Sequence, residues 1–171
     1  KVLGKRFEKY NLTLHPDKTQ RVDFRFRYRK ENLRKGKAVN FDFLGFTHYW
    51  GKSRRGKFIV RQKTAKDRLR KALKAINLLC RANRHKPLDE QQIRLNRRLT
   101  GHYAYFGITG NGKSLRNLHH KAQRLWHKWL GRRSRKSYIP WNRFTILLKR
   151  LPLVTPRIYH QYFAPNYAAK Q

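Results

Sequence analysis

The sequence predicts an α+β chain, with a small antiparallel β section over residues 1–62 followed by an all-α, basic helical bundle over 63–171 that ends in an extended tail. Two observations lead there. Apolar and polar residues alternate cleanly over 22–29, within the section before residue 62, and apolar residues recur at three- and four-residue spacing from residue 63 onward. A third observation, charge, bears on what the fold meets: 44 Lys or Arg stand against 8 Asp or Glu, a formal net charge of +36.

The first ten residues read as the end of a helix with Val2, Leu3 and Phe7 on one face. A turn follows over 11–19, with a short extended piece at Leu12-Thr13-Leu14 that Pro16 breaks. Val22, Phe24, Phe26 and Tyr28 then alternate with Asp23, Arg25, Arg27 and Arg29, the pattern of a half-buried strand. A second strand is predicted over Val39–Trp50. A third follows at Phe58-Ile59-Val60, after a Gly-Lys-Ser-Arg-Arg-Gly tip.

Near Thr64 the period changes. Thr64-x-x-Asp67 has the form of a capping box, in which the hydroxyl and carboxylate satisfy free amides of a first helical turn. Leu69, Leu73, Ile76 and Cys80 follow at helical spacing. Pro87 with Asp89 and Glu90 suits a second helix start. That helix is expected to turn Ile93, Leu99, Tyr103 and Phe106 inward and Arg94, Arg97 and Arg98 outward. A third helix, capped by Ser114, carries Leu115, Leu118, Ala122, Leu125 and Trp129 on one stripe. Arg116, Lys121, Arg124 and Lys128 lie off that stripe. A fourth begins around Pro140 with Trp141, Phe144, Leu147 and Leu148. The tail after Pro152 reads as extended.

With hydrophobic residues at 39% and aromatics at 13%, the chain can bury a core and is not a disordered tail. Its charge has too few carboxylates to be a salt-bridged surface, so the expected partner is a polyanion that accepts Lys and Arg in exchange for its counterions. No apolar run approaches the ~20 residues of a membrane span, and the aromatics are spread along the chain rather than gathered on one amphipathic helix. Nucleic acid, and not membrane, is therefore expected. Cys80 is the single cysteine, which excludes a disulfide framework and a cysteine-rich zinc module. Beginning at Lys1 in mid-pattern, the chain reads as a piece of something longer.

Gly107-x-x-x-x-Gly112-Lys113-Ser114 satisfies the phosphate-loop pattern letter for letter. Its chemistry also needs a preceding buried strand and a carboxylate for Mg²⁺, and no Asp or Glu occurs after Glu90. The segment reads better as a helix–loop–helix turn, Gly107 closing one helix and Ser114 capping the next. His119 and His120 are adjacent and diverge by ~100° on a helix, so they cannot share one ion. Solvated or phosphate-contacting histidines are expected, with no metal site. Asp42, Asp67, Asp89 and Glu90 each have a local structural role and form no catalytic pair. What remains is the basic and aromatic run over 126–136, with Trp129 read as core and Arg132, Arg133, Arg135 and Lys136, beside Lys113, as binding surface.

Leu12-Thr13-Leu14-His15-Pro16-Asp17-Lys18-Thr19, and then Phe41-Asp42-Phe43-Leu44-Gly45-Phe46, resemble the last blocks of a reverse-transcriptase palm. Leu95-Asn96-Arg97-Arg98-Leu99-Thr100-Gly101-His102-Tyr103-Ala104-Tyr105-Phe106-Gly107 resembles the thumb, or maturase domain, of group II intron-encoded proteins. So do Leu125-Trp126-x-x-Trp129-Leu130-x-Arg132-Arg133-Ser134 and Leu151-Pro152-Leu153-x-x-Pro156-Arg157-Ile158. The resemblance covers nearly the whole chain. It implies that residues 1–62 close a palm and that 63–171 form a thumb. The thumb would grip intron RNA, assist splicing and support RNA-templated DNA synthesis in intron mobility. It implies Lys18 as the lysine that protonates pyrophosphate, and Phe43, Leu44, Gly45 and Phe46 as the primer grip. Intron RNA is the implied partner, with a DNA target or primer for the whole protein, in a bacterial cytoplasm or an organelle. The family's Tyr-x-Asp-Asp block is not in this sequence, so no polymerase activity is expected of it alone. No cofactor is expected within it, whereas Mg²⁺ is expected for the whole polymerase and for the RNA. A structural RNA-scaffolding protein of ribosomal type is the alternative, and the palm-like segment argues against it.

Overall fold

A computed structural model of the chain describes residues 2–15, 40–53, 55–56, 58–134 and 138–161. The chain divides into two compact units, Lys1–Phe41 and Asp42–Gln171. In the first lies helix α1 (Val2–Glu8), whose Phe7 is half-buried. The strand expected at Val22–Tyr28, and Lys18 before it, fall outside the described residues.

The sheet has three strands in the order β1 (Asn40–Phe43), β2 (Phe46–Lys52), β3 (Phe58–Thr64). The single strand expected over Val39–Trp50 is in fact two, because the chain reverses at Leu44-Gly45. Both residues have positive φ, +48° and +80°, which is the two-residue hairpin geometry whose twist matches that of the flanking strands. Glycine accepts this conformation freely, while leucine does so only under strain of about 1–2 kcal/mol. β2 and β3 run antiparallel in continuous register from Phe46 opposite Thr64 to Lys52 opposite Phe58. β3 thus continues four residues beyond the expected Phe58–Val60.

Four helices follow: α2 (Lys66–Ala82), α3 (Leu88–Phe106), α4 (Gly112–Leu130) and α5 (Trp141–Arg150). The α+β class is as the sequence predicts. The helix starts differ in detail. Thr64 ends β3 and makes no cap, and Asp67 in the first turn of α2 has no capping hydrogen bond. α4 begins at Gly112, two residues before Ser114, and no side chain caps it.

The core is built from one stripe per helix. Ile76 and Cys80 come from α2, Leu95, Leu99 and Tyr103 from α3, and Phe144 from α5. From α4 come Leu115, Leu118, Ala122, Trp126 and Leu130. Two inward assignments are corrected here. Ile93 is exposed, since Gln91, Leu95, Leu99 and Tyr103 recur every four residues and Ile93 falls between them. Trp126 (0% exposed), and not Trp129, is the buried indole of α4, because the step of four from Ala122 lands on it. Trp129 and Leu125 only half-bury beside it.

Two polar groups of this core, Trp126 and Gln91, are paired. Trp126 Nε1–H donates to Gln91 Oε1 at 3.0 Å, and Gln91 Nε2–H donates to the Lys86 carbonyl at 2.8 Å. A buried Gln is tolerated because both ends of its amide are satisfied. The tail is fastened by α3: Gln92 and Asn96 side-chain amides donate to the Pro152 carbonyl, and Val154 N–H donates to Asn96 Oδ1 at 2.8 Å. Leu153 is buried beneath these bonds. The expectation of an extended tail holds as far as residue 161, which runs without helix and ends in a bridge between His160 and Ile108.

Candidate nucleic-acid interface

The helices that turn apolar stripes inward carry their cations on the remaining faces. Arg97 and Arg98 of α3, Lys113, Arg116, Lys121, Arg124 and Lys128 of α4, and Arg132 just beyond it are all exposed. Arg135 and Lys136 lie outside the described residues. Among the described residues the ion pairs are Arg68–Asp67, Lys86–Glu90 and Arg94–Glu90. Glu90 receives both Lys86 and Arg94 within 2.8 Å, and those hydrogen bonds hold its carboxyl below the usual range. Arg94 is therefore an exposed cation with its charge already answered.

Arg133 departs from the expected outward run. It is half-buried, and its guanidinium donates to the carbonyls of Arg84 and Lys86 in the loop between α2 and α3. The loop needs donors for these carbonyls, and a planar guanidinium reaches two at once. Trp129 departs in the opposite sense. Its indole N–H donates to Asn77 Oδ1 at 2.8 Å, and its ring is flanked by Arg81, Lys128 and Arg132, with cation–centroid distances of 6.0, 5.6 and 5.5 Å. That half-buried plate joins the α4 cations to the end of α2.

Two grooves lie between these helices. One, of about 530 Å³, runs between α2 and α3 with Arg97 and Arg98 at its edge and Ile76 at its floor. The other, of about 920 Å³, lies between α2 and α4 with Arg70, Lys74, Lys121, Arg124 and Lys128 along it and Trp141 at one end. Sequence reasoning missed Arg70, Lys74 and Trp141. The first two are spaced four apart on the outward face of α2, a signal that was present in the sequence. Trp141, expected only as part of the fourth helix, is 47% exposed.

The hairpin residues Phe43 and Leu44 are exposed, with Gly45 and Phe46 half-buried behind them. The turn is anchored from below: Tyr105 donates its hydroxyl to the Leu44 carbonyl at 3.0 Å, and Ala65 N–H donates to the Gly45 carbonyl at 2.9 Å. Phe46 packs on Phe106 at 5.2 Å and on Tyr105 at 5.9 Å. The four residues expected to act together thus stand on one turn, presented by α3.

The 107–114 segment is a structural turn. Two of its amides are taken up internally, Thr109 N–H by the His160 carbonyl and Asn111 N–H by the Ile108 carbonyl. The Gly107 carbonyl accepts from the amides of both Tyr159 and His160. The space above Gly107 is filled too, since a Cβ there would stand 2.3 Å from the Tyr103 carbonyl oxygen.

The histidines are more structural than expected. His127 is bonded to the Ile139 carbonyl at 2.7 Å, and His119 contacts the Tyr103 hydroxyl and Gln123. His102 stacks on Phe106 at 4.5 Å. Burial, and then the neighbouring Arg98, push its pKa down to about 4, so it is neutral at pH 7. Burial raises the Cys80 thiol to about 12, which leaves it protonated and unreactive. Among the described residues no three His, Cys, Asp or Glu side chains gather to hold a metal, and no helix is long and apolar enough to cross a membrane.

Comparison of the chain with protein-family models, curated proteins and solved structures gave no match.

Proposed function

We propose that this chain is the RNA-binding portion of a group II intron-encoded reverse transcriptase and maturase, whose own work is to bind intron RNA and hold it in its splicing-competent fold. The observation that carries this reading is the disposition of charge. Exposed Lys and Arg cover the outward faces of α2, α3 and α4, while the chain holds no carboxylate after Glu90 to answer them. Such a surface neutralises phosphates, and RNA helices that repel one another can then pack side by side on it. The exposed Phe43-Leu44 turn supports the second half of the reading, a primer grip that sets a DNA primer end for RNA-templated synthesis with Mg²⁺ in the complete protein.

Binding to a group II intron RNA, followed as a function of salt, tests this. Each phosphate contact lowers log K against log salt with a slope of roughly −0.7 to −0.9, so eight contacts give about −6 to −7. Stimulation of intron splicing at low magnesium is the companion measurement. An affinity that stays flat across salt, or an intron that splices no better with the chain than without it, counts against the proposal.

A further inference from the structure

The groove between α2 and α4 has features that phosphate neutralisation alone does not require. Its two walls carry cations from different helices, Arg70 and Lys74 on one side and Lys121 and Arg124 on the other. Between them the floor is apolar, made by the half-buried Leu73 and Leu125. At one end stands Trp141, nearly half of its surface in solvent. That ring is not loose: His127 meets it edge-on at 5.0 Å and Phe144 supports it at 5.3 Å.

A duplex offers phosphates to such a groove but keeps the faces of its bases stacked inside. An unpaired strand offers both phosphates and a free base face, and an aromatic ring on a cationic track is the surface that takes both. A ring held in place by its neighbours has little freedom left to lose when a base stacks on it. Charge complementarity is one-sided here, since α4 and α5 contain no carboxylate.

We propose that the α2–α4 groove holds an unpaired stretch of RNA, one base stacked on Trp141 and the flanking phosphates on Lys74, Lys121 and Arg124. The proposal rests on the RNA-binding reading and sharpens it to single-stranded segments at this one surface.

The test uses the full chain with two fluorescent RNAs, a single strand of mixed sequence and a duplex of the same length, read by anisotropy. Trp141→Ala is expected to weaken binding of the single strand by about 5- to 100-fold, the scale of one lost base stack. Trp141→Phe regains most of that loss, and duplex affinity changes by less than about twofold. Equal losses on both RNAs, or no loss on either, overturn the inference and leave RNA binding standing. Wild-type chain that binds neither RNA removes the underlying reading and this one together. Should Trp141→Ala fail to fold, photocrosslinking of a 5-iodouracil strand to the wild-type chain decides. Label on the peptide containing Trp141 supports the groove, and label confined to other peptides overturns it.

Discussion

Asn111 and Thr64 are joined by two hydrogen bonds across a gap of 47 residues: the Thr64 amide donates to Asn111 Oδ1, and Asn111 Nδ2–H donates to Thr64 Oγ1, both at 2.8 Å. Asn111 is fully buried, and its second amide hydrogen goes to the Phe106 carbonyl. One side chain therefore ties the end of β3, the end of α3 and the start of α4 together. Asn111→Ala leaves the buried Thr64 N–H without its acceptor, while the Phe106 carbonyl still accepts from Ile108 N–H, and should cost about 1–3 kcal/mol. Urea unfolding measures it; a loss below about 0.5 kcal/mol would show that water replaces the side chain.

Arg132 and Arg133 are neighbours in sequence with opposite duties. Arg133→Ala strips a donor pair from the Arg84 and Lys86 carbonyls and should lower stability by about 1–2 kcal/mol, because Gln91 also serves both carbonyls. Arg132→Ala should leave the melting temperature unchanged and reduce the salt slope of RNA binding by roughly 0.7 to 0.9. Matched thermal melts and salt titrations of the two variants separate the roles.

The two tryptophans of α4 should also part company. Trp126→Ala opens a cavity between Phe144 and Gln91 and is expected to cost about 3–5 kcal/mol. Trp129→Ala should cost less, since its ring is only partly buried, and its larger effect should fall on RNA affinity through the loss of the plate that orders Arg81, Lys128 and Arg132. Equal destabilisation by both variants would contradict this division.

His102 sets a pH dependence with a definite sign. Its folded pKa of about 4 lies below the ordinary value of 6.5, so in the intervening range the unfolded chain binds a proton that the folded chain refuses. Stability is at its full value above about pH 6.5 and falls as pH drops towards 4. His119, also shifted down by burial, adds to the same trend. His102→Phe should flatten part of the slope in this window, as read from chemical unfolding at a series of pH values.

Gly107 should not accept a side chain, for a reason of space rather than of φ. Its backbone angle is −77°, open to any residue, but a Cβ would meet backbone oxygens of Tyr103 and Arg157 and the ring of Tyr159. Gly107→Ala should release the tail from residue 157 onward, seen as faster amide exchange at Tyr159 and His160.

The order of the four helices from residue 66 to 150, and the α+β class itself, were legible because periodicity reports directly on which face of a helix or strand meets the core. Ile76, Cys80, Leu99, Leu118 and Phe144 could be placed inside from spacing alone. The basic surface was equally legible, because uncompensated charge must remain in solvent wherever the chain folds. Other features depended on which chain segment arrives from far away. Arg133 turns inward because the carbonyls of Arg84 and Lys86 come to lie beside it. Thr64 bonds to Asn111 instead of capping α2. Ile93 faces solvent because its neighbours at 91 and 95 take the core positions, and Trp141 projects into a groove that exists only once α2 and α4 pack. Spacing along a chain specifies a face; which groups stand opposite that face is set by contacts between residues tens of positions apart, and those are decided only when the helices close on one another.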